Sequence, residues 1–98
     1  MLGSVMAEIY YDADASNAQG TAHVFLRKVS ASTLHLTLQW VSSSKRYDSS
    51  DESWVVNRYS TPEDIAACIE RWVPKSPDPD LMNEALEKLN AQLPEGML

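Results

Sequence analysis

Thr21 to Val41, which reads TAHVFLRKVSASTLHLTLQWV, decides the fold. Leu34, Leu36, Leu38 and Trp40 alternate there with Thr33, His35, Thr37 and Gln39, the two-residue period of a strand with one buried and one wet face. A three-residue turn at Ser30, Ala31 and Ser32 brings the first half back alongside it, with Ala22 opposite Trp40, Val24 opposite Leu38 and Leu26 opposite Leu36. In that register the aliphatic side chains share one face. A slip of one residue turns one strand's apolar set toward water, and this mismatch selects the pairing.

Upstream, Ala7 to Tyr11 alternates, with Ala7, Ile9 and Tyr11 on one side and Glu8 and Tyr10 on the other, which predicts a first strand. Asp12 to Gly20 (DADASNAQG) is rich in turn formers and reads as a loop. Downstream, the serine-rich Ser42 to Ser53 predicts a mobile loop, and Trp54 to Tyr59 (WVVNRY) a fourth strand with Trp54 and Val56 on its buried side. Thr61 and Pro62 then signal a helix start: the threonine as an amide acceptor, the proline at the first helical position, and Glu63 and Asp64 at the positive end of the dipole. Ile65, Cys68, Ile69, Trp72 and Val73 form a helical stripe that Pro74 and Pro77 end. Asp78 and Pro79 repeat the start signal, and Met82, Ala85, Leu86, Leu89 and Leu93 supply a second stripe. Glu84 and Lys88 pair on its wet side. Strands first and helices last predict an α+β domain, an antiparallel sheet of about four strands with two C-terminal helices packed on one face.

A chain of 98 residues has material for one core and reads as a single domain over residues 1–98. Residues 1–5 (MLGSV) read as a vector remnant or a disordered lead-in to a start at Met6, and residues 94–98 as a flexible tail. Apolar residues at 44% and charged residues at 22% place the chain with folded proteins rather than disordered ones. No apolar run approaches the roughly twenty residues of a membrane helix. The one cysteine, Cys68, permits no internal disulfide, and together these predict a soluble, cytoplasmic protein. The net charge of −6 is uneven, with four acids and four bases in residues 1–49 but ten acids and four bases in residues 50–98. Such acidity repels phosphate and argues against a nucleic-acid partner and for a basic protein, although modest acidity also serves solubility alone.

Ile9 to Ser16 (IYYDADAS) resembles the first motif of haloacid-dehalogenase-type phosphotransferases, an apolar strand that delivers two aspartates separated by one residue. The resemblance implies Asp12 as nucleophile and Asp14 as general acid. It covers eight residues, and that family's parallel sheet, crossover helices and further lysine and acidic motifs have no counterpart in the chain. Asp12, Asp14 and Ser16 also stand at the first three ligand spacings of an EF-hand loop. There Asn17 replaces the turn glycine and His23 stands where the bidentate glutamate belongs, so the segment reads as a solvated turn whose aspartates bond nearby backbone amides.

His23 and His35 fall on the outer face of the hairpin, opposite Gln39 and Arg27, with no cysteine or carboxylate expected beside them; this does not spell a zinc site. Cys68 lies on the buried stripe of the first helix, the place of a small hydrophobe. No serine stands in a G-x-S-x-G context, and no Walker or dinucleotide-binding loop is present. No metal or cofactor is expected.

Surface character remains. If Leu34 to Trp40 face the helices, the opposite sheet face carries Tyr10, Phe25, Val29, Val41 and Val55, a partly apolar open surface suited to a partner or to a second copy. The leading reading is a non-enzymatic, acidic protein-binding module of the inhibitor, immunity or antitoxin type that docks on a basic partner. Its candidate contact residues are Asp48, Asp51 and Glu52 in the serine-rich loop, Glu63, Asp64 and Glu70 on the first helix, and Tyr10 and Phe25 on the sheet. The alternatives are a small enzyme or ligand binder using Asp12 and Asp14, and a homo-oligomeric structural or accessory subunit.

Overall fold

The computed structural model describes residues 10–43 and 53–93. Four strands, β1 (Tyr10–Ser16), β2 (Gly20–Ser30), β3 (Thr33–Ser42) and β4 (Ser53–Ser60), precede two helices, α1 (Ile65–Trp72) and α2 (Pro79–Gln92). The strands form one antiparallel sheet in sequential order, with β1 and β4 as its edges. This is the expected α+β arrangement. The expectations for residues 1–9, for loop residues 44–52 and for the tail 94–98 lie outside the described residues.

The hairpin pairs as its pattern requires, with Ala22 opposite Trp40, Val24 opposite Leu38 and Leu26 opposite Leu36. The turn differs from the expected one. Register holds to Lys28 opposite Leu34, then shifts so that Ser30 meets Thr33. A bulge at Val29 therefore absorbs one residue, and Ala31 and Ser32 alone make the turn. Val24, Leu26, Leu34, Leu36 and Leu38 are all buried and face Ile65, Met82, Ala85 and Leu89 from the helical layer.

The largest correction concerns the first strand. Asp12 to Ser16 is not a loop, because β1 runs on to Ser16 and pairs with β2 throughout, from Tyr10 opposite Arg27 to Ser16 opposite Thr21. Tyr11, Ala13 and Ala15 point inward, and Tyr10, Asp12, Asp14 and Ser16 outward. Ala13 and Ala15 are small enough for α2 to lie over β1 and β2. As an edge strand β1 presents unpaired backbone groups, and α2 takes two of them: Gln92 Nε2 donates to the Asp12 carbonyl at 2.7 Å and Lys88 Nζ to the Asp14 carbonyl at 3.2 Å.

The connection to β2 is only Asn17 to Gln19. Its amide acceptor is Asn17 rather than an aspartate: Oδ1 receives the Gln19 and Gly20 amides at 2.9 and 3.0 Å. Asn17 Nδ2 donates to Asp78 Oδ2 at 3.0 Å, while Asp78 Oδ1 accepts the Leu81 amide at 3.1 Å and so caps α2. One aspartate thus ties the first turn to the last helix. Next to this turn the Trp40 indole lies against Gly20, and its buried Nε1 has no hydrogen-bond partner among the described residues.

The start of α1 also differs. Residues 62–64 form a 3₁₀ turn, and the Thr61 side chain caps no amide but donates to Asp64 Oδ2 at 2.9 Å. The helix proper begins at Ile65, with Ile65 buried and Cys68, Ile69 and Trp72 half-buried. No helix among the described residues is long and apolar enough to cross a membrane.

Candidate functional site

With both helices on the inner side, strand register alone arranges the outer side chains of the sheet. Successive rows run Tyr10, Arg27, His35, Tyr59; then Asp12, Phe25, Thr37, Asn57; then Asp14, His23, Gln39, Val55. Tyr10, Val55 and Tyr59 are 53%, 54% and 63% exposed. Hydrogen-bonded sheet holds these rings in place, so the surface is preorganised rather than adaptable.

Aromatic contacts lock the face further. Phe25 meets Tyr10 edge-on at 6.0 Å and His23 edge-on at 5.4 Å, while His35 stacks on Tyr59 at 4.4 Å with the rings 11° from parallel. Thr37 Oγ1 donates to Asn57 Oδ1 at 2.7 Å. Between these groups Tyr10, Phe25, Arg27, His35 and Thr37 line an open hollow of about 270 Å³. Arg27 Nε is buried, with no hydrogen-bond partner among the described residues. An unsatisfied buried donor costs roughly 1–3 kcal/mol.

Of the residues singled out from the sequence, Tyr10 and Phe25 both lie on this face and touch. Asp12 and Asp14 lie on it too, as strand residues rather than loop residues. The expectation that no carboxylate stands beside the histidines is overturned, because Asp14 pairs with His23 across β1 and β2 and its Oδ2 lies 3.1 Å from Nε2. Such a pair orients an imidazole, as in a general base. The hydroxyls of the next row, Ser16 and Thr21, bond each other at 2.9 Å. Asp12, Ala13, Asp14 and His23 line a smaller hollow of about 170 Å³. Among the described residues no three His, Cys, Asp or Glu side chains gather as metal ligands would.

Glu63, Asp64 and Glu70 are exposed on the helical layer, on the other side of the sheet from these rings. Asp48, Asp51 and Glu52 lie outside the described residues. Cys68 is half-buried, with Sγ 3.1 Å from Ser60 Oγ.

Two features escaped sequence reading. The Tyr59 and His35 stack depends on the register of β3 with β4, and the signal for it was available: once Trp54 and Val56 point inward, Tyr59 must point out. The second is a cationic cluster on Trp72, where Arg58 lies 4.5 Å, Lys75 4.7 Å and Arg71 5.8 Å from the ring. Arg58 comes from β4, so helix periodicity could not reveal it. No family model, curated protein or solved structure matches the chain.

Proposed function

We propose that the chain is a non-enzymatic protein-binding module that works by surface complementarity. The observation that supports this most is the open sheet face, where Tyr10, Val55 and Tyr59, each more than half exposed, sit on rigid sheet. Exposed aromatics held in fixed positions suit a contact surface, since they bury large apolar area at little cost in side-chain entropy.

Charge suggests the kind of partner. The chain carries −6 overall, and the exposed Glu63, Asp64 and Glu70 form no ion pair among the described residues. A basic protein met by this acidic helical layer would be steered to it, as suits an inhibitor, immunity or antitoxin-type role. A reducing, cytoplasmic setting suits the single cysteine.

The test begins with a partner recovered from the native host. Reversing charge at Glu63, Asp64 and Glu70 to lysine should slow association about tenfold at low salt and flatten its salt dependence. A stopped-flow rate unchanged by all three substitutions would exclude the basic partner.

A further inference from the structure

We infer that the open sheet face is covered by a second copy of the chain, an inference that rests on reading this face as a protein-contact surface. Two opposite charges on it lack partners among the described residues. Arg27 has its Nε buried without an acceptor, and the Asp12 carboxylate has no hydrogen bond or ion pair among the described residues, since Asp14 rather than Asp12 engages His23. Arg27 stands opposite Tyr10, and Asp12 opposite Phe25, so the four residues occupy one block spanning β1 and β2, with each charge diagonal to the other.

That block is self-complementary. In a two-fold interface each residue pair recurs with its members exchanged, so a face that meets itself must carry both halves of every contact. An axis lying between the two sheets along the line from Tyr10 to Phe25 sets each ring against its own counterpart. The same rotation carries Arg27 over Asp12 of the second copy, and Asp12 over its Arg27. The incoming carboxylate enters the hollow above Arg27, where it can pair with the terminal nitrogens of the half-buried guanidinium. The rings of Tyr10 and Phe25 exclude water around it.

Other occupants fit less well. A nucleic-acid strand needs several phosphate contacts, and the three outer rows offer Arg27 as their one fixed positive charge, beside Asp12 and Asp14. A basic partner would meet Arg27 as a like charge on this face. Four strands about 4.8 Å apart, paired over some seven residues, present roughly 500 Å² per copy, hence about 1,000 Å² in all, the lower end for a specific interface. The dimer is therefore weak and concentration-dependent. It leaves both acidic helical layers outward, free for the basic partner.

Sedimentation equilibrium of the full chain from about 10 μM to about 1 mM covers the range in which so small an interface dissociates. The wild type should pass from monomer to dimer. Asp12→Lys and Arg27→Glu should each weaken the dimer tenfold or more, and the double variant, with the charges exchanged, should regain wild-type association to within about threefold. A wild-type monomer throughout, singles that associate normally, or a double variant no better than its parents would each overturn the inference. Should Arg27→Glu lose its near-UV circular dichroism, Asp12→Lys and dilution NMR of the wild type decide instead: resonances of Tyr10, Phe25 and Arg27 Nε must move with concentration, and movement confined elsewhere overturns it. None of these results alters the partner-association rate above, so failure here and failure of the binding reading are told apart.

Discussion

Leu36→Ala is expected to destabilise the fold by about 2–5 kcal/mol, the range for truncating a buried leucine in a core that relaxes only in part. Leu36 is 1% exposed, flanked by Leu26 on β2, and belongs to the cluster that β2 and β3 share with Met82, Ala85 and Leu89. The strand on either side is hydrogen-bonded, so the backbone cannot close the cavity. Its neighbour supplies the contrast. His35 faces outward, and His35→Ala should forfeit only the stack on Tyr59, about 1 kcal/mol. Thermal or urea unfolding of the two variants reads the difference, and a neutral Leu36→Ala contradicts the assigned face.

Gly20→Ala should be nearly as damaging, although alanine ordinarily suits an extended backbone better than glycine. A Cβ at this position would lie 2.5 Å from the Val41 carbonyl oxygen and 2.7 and 2.8 Å from the Cζ2 and Cε2 atoms of Trp40. The oxygen belongs to the backbone of β3 and has nowhere to go, since Gly20 is the paired residue that begins β2. Relief requires β2 to separate from β3 at that end and the indole to leave its seat. Overpacking of this kind costs about 1–3 kcal/mol, and for a domain of this size each kcal/mol lowers Tm by roughly 4–8 °C. A Gly20→Ala protein that melts at or above the wild-type temperature would show that Trp40 does not rest there.

Where the apolar period was long and built from large residues, the fold could be read from the sequence. Four inward side chains on β3 met three on β2, and a slip of one residue exposed a set of them, so sidedness followed, and the short turn then set the pairing. The stripes of α1 and α2 were legible for the same reason. β1 was not, because its inward residues beyond Tyr11 are Ala13 and Ala15, too small to announce a buried face, and its outward aspartates also favour turns. Pairing with β2 and cover by α2 overrode that local preference. The open face was half legible. Tyr10 and Phe25 followed from hairpin parity, but the Asp14 and His23 contact required the missed extension of β1, and the Tyr59 stack required carrying β4 parity one step further. The Asn17 and Asp78 bond joins residues 61 positions apart, beyond any local pattern.

One experiment addresses the sidedness on which both the fold and the contact surface depend. A soluble gadolinium chelate added to dilute, isotope-labelled protein broadens resonances of exposed groups according to their accessibility. The rings of Tyr10 and Tyr59 and the methyls of Val55 should broaden strongly, while the methyls of Leu34, Leu36 and Leu38 stay sharp. Broad leucine methyls beside protected tyrosine rings would mean that the helices lie on the other side, and the proposed surface would be the core.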